Sequence, residues 1–333
     1  MKIVIVGGVA GGATTAARLR RLSEKDEIVL LEKDKYISYA NCGLPYYIGD
    51  VITDKEKLQV QTVDGMSKRF NLDIRVKNEV VAVDKDKKTL TIRRLDSGEE
   101  YFESYDKLIL SCGAKPIKPN IRGLAEAKNV FVLRNIPDTF AIKDFVNINK
   151  VKNATVIGGG FIGVEMAENL TQIGVKVTIV EKLPQTLKQL DFEMAQIVHQ
   201  EMVANGVDLI LGDGIAEFLD GGKKIKLDSG NEITTEMAIL AIGVSSENTL
   251  AKSSGLKLGA RGHVVVTDTF EVIDSQSDKK CDDIFAIGDM IEVIDALDGS
   301  PTAVPLAWGA NRQGRLLADH INGIEIKPCK IQG

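Results

Sequence analysis

Lys2-Ile3-Val4-Ile5-Val6-Gly7-Gly8-Val9-Ala10-Gly11-Gly12 is the stretch that decides the fold of this chain. Ile3 to Val6 reads as a short strand buried on both faces, because apolar, β-branched residues follow one another without polar alternation. The glycine cluster permits a tight turn, Ala13 to Leu22 reads as a helix, and Glu27-Ile28-Val29-Leu30-Leu31 reads as a second strand closed by Glu32. The same device returns 151 positions on, with Gly158 standing where Gly7 stood. There Ala154-Thr155-Val156-Ile157 leads into Gly158-Gly159-Gly160-Phe161-Ile162-Gly163, a helix runs to Ile173, and Val175 to Val180 ends at Glu181.

Glu32 follows Gly12 by 20 residues, and Glu181 follows Gly163 by 18. At that spacing an acid can meet ribose hydroxyls, while the glycines let backbone approach a pyrophosphate at the helix N-terminus. One glycine fingerprint is weak evidence; two, each in a strand–helix–strand setting and each with its acid, are strong. The second copy satisfies G-x-G-x-x-G in full, whereas the first has Val9 at the middle glycine. The fold class read from this repeat is α/β, with two Rossmann-like dinucleotide-binding domains.

The rest of the chain fits that frame. Residues 74–93 and Tyr105 to Leu110 read as short alternating strands, closing at Ser111-Cys112-Gly113-Ala114. Lys224 to Leu227, Met237 to Ile242 and Asp283 to Ile287 read as further strands, the last ending in Gly288-Asp289. Such an ending puts a carboxylate at the carboxyl edge of a sheet, where ligands bind in open α/β folds. With 44% apolar and 27% charged residues, 333 residues suffice for about two soluble domains. The net charge of −5 argues against a general nucleic-acid binder. The N-terminus lacks the long apolar region and cleavage site of a signal peptide, and no apolar run approaches a membrane span of about 20 residues. Cys42, Cys112, Cys281 and Cys329 form no CxxC pair, so reduced thiols, a cytoplasmic setting and no metal site are expected.

The order of these motifs resembles the pyridine nucleotide-disulfide oxidoreductases, over essentially the whole chain. The resemblance implies a FAD domain, 1–113 and 244–320, interrupted by an NAD(P)H domain, 114–243. It assigns Gly7, Val9, Ala10, Gly11, Gly12 and Glu32 to FAD, and Gly158, Gly160, Phe161, Ile162, Gly163, Glu165 and Glu181 to the nicotinamide cofactor. Ala286-Ile287-Gly288-Asp289 is similar to the second FAD motif of the family, with Asp289 on the ribityl chain. Ser111-Cys112-Gly113 and Ala241-Ile242-Gly243 are similar to its crossover turns, and Lys33, Val81, Arg134, Pro305, Leu306 and Ala307 join the implied cofactor-binding set. Phe161 would be an aromatic lid over the flavin and Glu165 the acid at the nicotinamide. Glu181 repels a 2′-phosphate and so favours NADH, a preference that Lys182 beside it could soften toward NADPH.

Ser38-Tyr39-Ala40-Asn41-Cys42-Gly43-Leu44-Pro45-Tyr46-Tyr47 sets the subgroup. Glutathione-reductase-like members carry two cysteines five apart here, and this chain has Tyr47 at the second position. The pattern resembles single-cysteine enzymes, namely coenzyme A-disulfide reductases, NADH oxidases and peroxidases, and polysulfide or persulfide reductases. Gly8-Val9-Ala10-Gly11-Gly12 and Val304-Pro305-Leu306-Ala307-Trp308-Gly309-Ala310-Asn311-Arg312 point to the coenzyme A-disulfide reductase branch, which tolerates Val9. Cys42 is thus the expected catalytic thiol, packed against the flavin and bonding transiently to coenzyme A or another small thiol. Disulfide reduction needs a thiolate that attacks one sulfur to form a mixed disulfide. Cys112 reads as packing, and Cys281 and Cys329 receive no role.

Coenzyme A carries several phosphate charges, so its anchoring should be electrostatic. Arg18 and Arg21 are one helical turn apart and present a positive face, whereas Arg20 reads as solvated. The resemblance places Thr14, Arg18, Arg21, Ser38, Asn41 and Asn311 at the substrate, with Lys68-Arg69 as a possible addition. The favoured expectation is NAD(P)H-dependent reduction of coenzyme A disulfide, coenzyme A persulfide or polysulfide. One alternative is an NADH oxidase or peroxidase cycling Cys42 through a sulfenic acid. Another is a flavin-binding electron carrier with an idle Cys42. Family members continue into a dimerisation domain, of which residues 321–333 would be the start, and some into a rhodanese domain. A homodimer is therefore expected of the full-length protein.

Overall fold

The computed structural model describes residues 1–327 and falls into two compact units. The expected position of Cys329 and the end of the expected 321–333 segment lie outside the described residues.

The first unit holds residues 1–39, 59–115 and those from 245 onward. Its six-stranded sheet runs in the order Glu271–Ile273, Lys280–Ala286, Lys107–Leu110, Lys2–Val6, Glu27–Glu32, Asp73–Val76. All neighbours pair in parallel except the first two, and Val4 stands level with Val29 on one side and Leu108 on the other. Ile3, Val4 and Ile5 are fully buried, as a strand covered on both faces requires. Helices Ala10–Leu22 and Ala307–Ile321 pack against each other. An antiparallel meander, Asn78–Asp84, Thr89–Arg94 and Glu100–Ser104, completes the unit. Val80 pairs with Ile92 and Ala82 with Thr91, leaving Val81 as the extra residue of a bulge.

The second unit holds residues 40–58 and 116–244. Its five-stranded sheet is parallel throughout, in the order Asp208–Leu211, Lys176–Glu181, Asn153–Ile157, Met237–Leu240, Val130–Phe131. Helices Ile136–Asn149, Phe161–Gln172 and Phe192–Ala204 accompany it, with a small antiparallel sheet of Ile215–Leu219, Lys224–Leu227 and Glu232–Thr234. The repeat in the sequence is thus a repeat in topology. In each unit the glycine-turn strand lies between the strand that ends in the acid and a later strand that pairs on its other side.

Several boundaries differ from the sequence expectation. The first helix begins at Ala10 rather than Ala13, since glycines at a helix start cost little where the first amides have no intrahelical partner anyway. The strand Glu100–Ser104 was not anticipated, its run being mostly polar and its Phe102 exposed. Segment 40–58, expected within the first stretch 1–113, clusters with residues 116–244 because its helix Leu44–Ile48 packs on helices Ile136–Asn149 and Phe161–Gln172. No helix among the described residues is long and apolar enough to cross a membrane.

Candidate dinucleotide and thiol sites

Both glycine turns are built alike. Gly7 has φ +98° and Gly158 φ +107°, conformations that L side chains rarely adopt. A Cβ on Gly7 would lie 2.2 Å from the Ser111 carbonyl oxygen, and one on Gly158 2.5 Å from that of Ala241. Gly12 and Gly163 are equally fixed, since a Cβ on either would come within 2.0 Å of the carbonyl oxygen of Gly7 or Gly158 respectively. Each turn therefore lets a helix start directly against its own strand. Among the described residues no side chain caps the N-terminus of helix Ala10–Leu22 or of helix Phe161–Gln172, and neither first turn carries an acid. Unpaired amides and the positive end of the helix dipole suit a phosphate at both.

The acids close the device. In the first unit the Gly8 amide donates to Glu32 Oε2 at 2.7 Å and the Asp34 amide to Oε1 at 2.8 Å. In the second, the Gly159 amide donates to Glu181 Oε2 at 2.6 Å and the Leu183 amide to Oε1 at 2.8 Å. Each carboxylate keeps acceptor capacity after these two bonds, enough for ribose hydroxyls. Glu32 is almost wholly buried, and that burial raises its pKa against the pull of the two amides. Lys182 pairs with Asp228 at 3.6 Å while staying largely exposed.

Around the first turn the expected residues converge. A Cβ on Gly11 would lie 2.7 Å from Ser111 Oγ, and one on Gly288 3.5 Å from the Ala310 Cβ. Gly288 and Asp289 form a short 3-10 turn after strand Lys280–Ala286, with the Gly288 amide donating to Gln313 Oε1 at 2.7 Å. Gln313 was not anticipated; its only sequence signal is a place on the buried face of the last helix. Pro305, Leu306 and Ala307 lead into that helix, with Leu306 at its N-cap. Gly113 and Gly243, at the two chain crossings, both have positive φ.

The expected substrate residues divide between the units. Thr14 Oγ1 donates to Asn311 Oδ1 at 2.7 Å, joining the two packed helices. Arg18 does not offer a bare positive charge, because it pairs with Asp319 at 2.7 Å. Arg21 lies over the Phe70 ring, as does Arg69, and Lys68 pairs with Asp64. Ser38, at φ +45°, ties its amide to the Gly8 carbonyl at 2.9 Å. Arg20 corrects the sequence reading: it is buried, and its guanidinium donates to the carbonyls of Phe70, Ser23 and Asn71 at 2.9–3.0 Å.

Asn41 belongs to the second unit, in the 3-10 turn Asn41–Gly43 with Cys42. Cys42 is exposed, and it is the one cysteine among the described residues of its unit. On the same unit Phe161 opens its helix 60% exposed. Glu165 is raised in pKa by burial and by the Glu168 carboxylate. Tyr46 is raised by Glu168 first, then by burial, Glu165 and Cys42, so its phenol shares a neighbourhood with the acid pair and the thiol. Arg134 donates its amide to Asp138 at 3.0 Å. Cys112 and Cys281 are half-buried against the core of the first unit, and burial pushes the Cys281 thiol up.

Two Rossmann-type turns, each with a closing acid and an uncapped helix, define a fold built to hold two dinucleotides. Residues 1–314 match the pyridine nucleotide-disulphide oxidoreductase family, and the chain belongs to it. Members are FAD-dependent enzymes that take electrons from NAD(P)H, and the residues present fit both groups: close backbone approaches at Gly7, Gly12, Gly158 and Gly163, uncapped helix N-termini and an acid bonded to each turn. The chain is 36% identical to coenzyme A disulfide reductase of Staphylococcus aureus over 98% of its own length and 72% of that protein. It is similar to the reduced CoADR-RHD of Bacillus anthracis, at 55% identity and a TM-score of 0.95, over 99% of this chain and 58% of that one. It is also similar to an NAD-dependent persulfide reductase from A. fulgidus, at 30% identity and a TM-score of 0.92, over 100% of this chain and 61% of that one. The chain thus spans less than two thirds of either solved chain.

Proposed function

We propose that this chain reduces coenzyme A disulfide, or the persulfide of coenzyme A, with electrons from NADH, and that Cys42 is the reacting thiol. The observation that carries this is the exposed Cys42 in its 3-10 turn, the one cysteine among the described residues of its unit, with Tyr47 where a second cysteine would close an internal disulfide. The similarity to coenzyme A disulfide reductase supports the substrate class.

The Cys42 thiolate attacks one sulfur of the substrate, forming a mixed disulfide and expelling the other half as a thiolate that takes up a proton. This exchange is redox-neutral, so one pair of electrons must then enter the mixed disulfide to cleave its S–S bond, release the second thiol and restore Cys42. FAD and NADH held by the two turns would supply these two electrons, so that one NADH and one proton would yield two thiols. Gly7, Gly11, Gly12, Glu32, Ser111, Gly288 and Asp289, with Val9 and Ala10, are the proposed flavin contacts, and Lys33, Val81, Gly113, Arg134, Gly243, Pro305, Leu306 and Ala307 complete the proposed cofactor-binding set. Gly158, Gly160, Ile162, Gly163 and Glu181 hold the nicotinamide cofactor, with Phe161 and Glu165 at its reactive end. Thr14, Arg18, Arg21, Ser38, Asn41 and Asn311 bind the coenzyme A portion, and Arg18 does so by exchanging the Asp319 carboxylate for a phosphate.

The test compares the natural protein with Cys42→Ser on coenzyme A disulfide, coenzyme A persulfide, polysulfide, peroxide and oxygen, following NADH. A dye that accepts electrons from the flavin directly serves as control. The proposal expects loss of disulfide or persulfide turnover with dye reduction retained. Turnover of peroxide or oxygen alone, or equal loss of both activities in the variant, refutes it.

A further inference from the structure

We infer that Lys143 is a positioning residue for the Cys42 thiol, acting through the short helix that follows it; the inference rests on the reading of Cys42 as the reacting group. Segment 40–58 is a closed excursion of the chain, its ends joined by the Ala40 amide donating to the Leu58 carbonyl at 3.1 Å. It contains little regular structure of its own beyond the Cys42 turn and helix Leu44–Ile48, only five residues long. A helix of that length is not stable by itself and holds its place through tertiary contacts. Leu44 and Ile48 are buried, which fixes one face. Three further contacts converge on one side chain, Lys143.

The Lys143 ammonium donates to the Tyr47 carbonyl at 2.5 Å and to Asp50 Oδ1 at 2.7 Å, and it lies 3.9 Å from the centroid of the Tyr47 ring. Only 15% of its side chain is exposed. These partners lie at or just past the C-terminal end of helix Leu44–Ile48, where carbonyls lack intrahelical donors and a cation is favoured. Asp50 adopts φ +60°, an uncommon backbone for a residue other than glycine, and pairs with Lys143 in that conformation. Phe140, one turn before Lys143 on the same helix, meets the Tyr47 ring edge-on at 5.6 Å. On the opposite flank Gly49 approaches Asn169 so closely that a Cβ would lie 2.5 Å from Asn169 Oδ1. The helix after Cys42 is therefore gripped at its far end by Lys143. The 3-10 turn Asn41–Gly43 runs directly into this helix, so only four residues separate Tyr47 from Cys42 and a shift at Tyr47 is passed toward the thiol over a short path.

The experiment uses Lys143→Met and Lys143→Arg in the natural protein loaded with FAD. Thiol-dependent turnover, NADH-to-dye reduction and the site-resolved rate of Cys42 alkylation by iodoacetamide are read side by side. Lys143→Met should lower kcat for the disulfide on the order of 10- to 100-fold, the range for misplaced reacting groups. It should change the Cys42 alkylation rate by more than about twofold, with dye reduction unchanged. Lys143→Arg, which keeps the cation, should recover most of the loss. A Met variant with native turnover and native alkylation overturns the inference, as does parallel loss of dye reduction and thiol turnover. If Lys143→Met does not fold, Asp50→Asn, which removes the charge from one of the three contacts, must show the same direction of change or the inference fails. Alkylation reads the position of Cys42 whatever the substrate, so absent disulfide turnover in the unaltered protein refutes the proposed function alone.

Discussion

The Gly8 amide donates to Glu32 at 2.7 Å across 24 positions of sequence, and this bond fixes the turn to the end of the neighbouring strand. The carboxylate is therefore a structural part of the cradle before any ribose reaches it. Glu32→Gln keeps one acceptor oxygen but turns an NH2 group toward an amide donor, leaving one N–H unsatisfied in a buried place. Such a loss costs about 1–3 kcal/mol. We expect FAD affinity to fall by about 5- to 150-fold, read by quenching of flavin fluorescence on titration into flavin-free protein. Native affinity in the variant would show that ribose and amides are held elsewhere.

The matching bond in the second unit, Gly159 to Glu181 at 2.6 Å, leads to a prediction about cofactor choice. On the proposed assignment of Glu181 to the ribose, a 2′-phosphate there meets an acidic side chain. The ratio of kcat/KM for NADH over NADPH should be tenfold or more, on the scale of about 1–3 kcal/mol for a single group. Glu181→Ala should shrink that ratio by raising use of NADPH. Lys182, already paired with Asp228, is free to turn only at the cost of that weak exposed pair. A native preference for NADPH would overturn the assignment.

Glu271 gives the fold a pH dependence of known sign. Burial works to raise its pKa, but the hydroxyls of Thr267 and Thr269, its own amide and His320 hold it down to about 2. The folded value lies below the usual 4.5, so the stabilisation is complete above that value and is lost as pH falls from there toward about 2. Glu271→Gln should flatten the acid limb of the melting temperature plotted against pH and lower stability near neutrality. Parallel curves for the two proteins would contradict this.

Arg20, expected at the surface, caps the end of helix Val63–Phe70 through the Phe70 and Asn71 carbonyls. Arg20→Met keeps the apolar stem but leaves these carbonyls without their charged donor, at a cost of about 1.5–3 kcal/mol. A thermal melt should show a clear drop in midpoint. An effect within about 0.5 kcal/mol, usual for solvated residues, would mean the site is no more than surface.

What the sequence determined by itself was local and periodic. Ile3 to Val6, Gly7 to Gly12, their copies near Gly158 and the closing acids announce strand, turn and helix because a glycine conformation and an apolar run act over a few residues. The resemblance carried by those motifs and by the Cys42 segment reached the family in the same way. Tertiary structure alone decided which polar side chains are spent on the fold. Arg20 meets carbonyls 50 and 51 positions away, Gln313 meets Gly288, Arg18 meets Asp319 301 positions on, and Lys143 grips Tyr47 across 96 positions. The membership of segment 40–58 was equally hidden, since a five-residue helix has no period long enough to declare the surface it packs on. A sequence shows which groups can donate and accept, whereas burial and pairing depend on partners that only the folded chain brings within 3 Å.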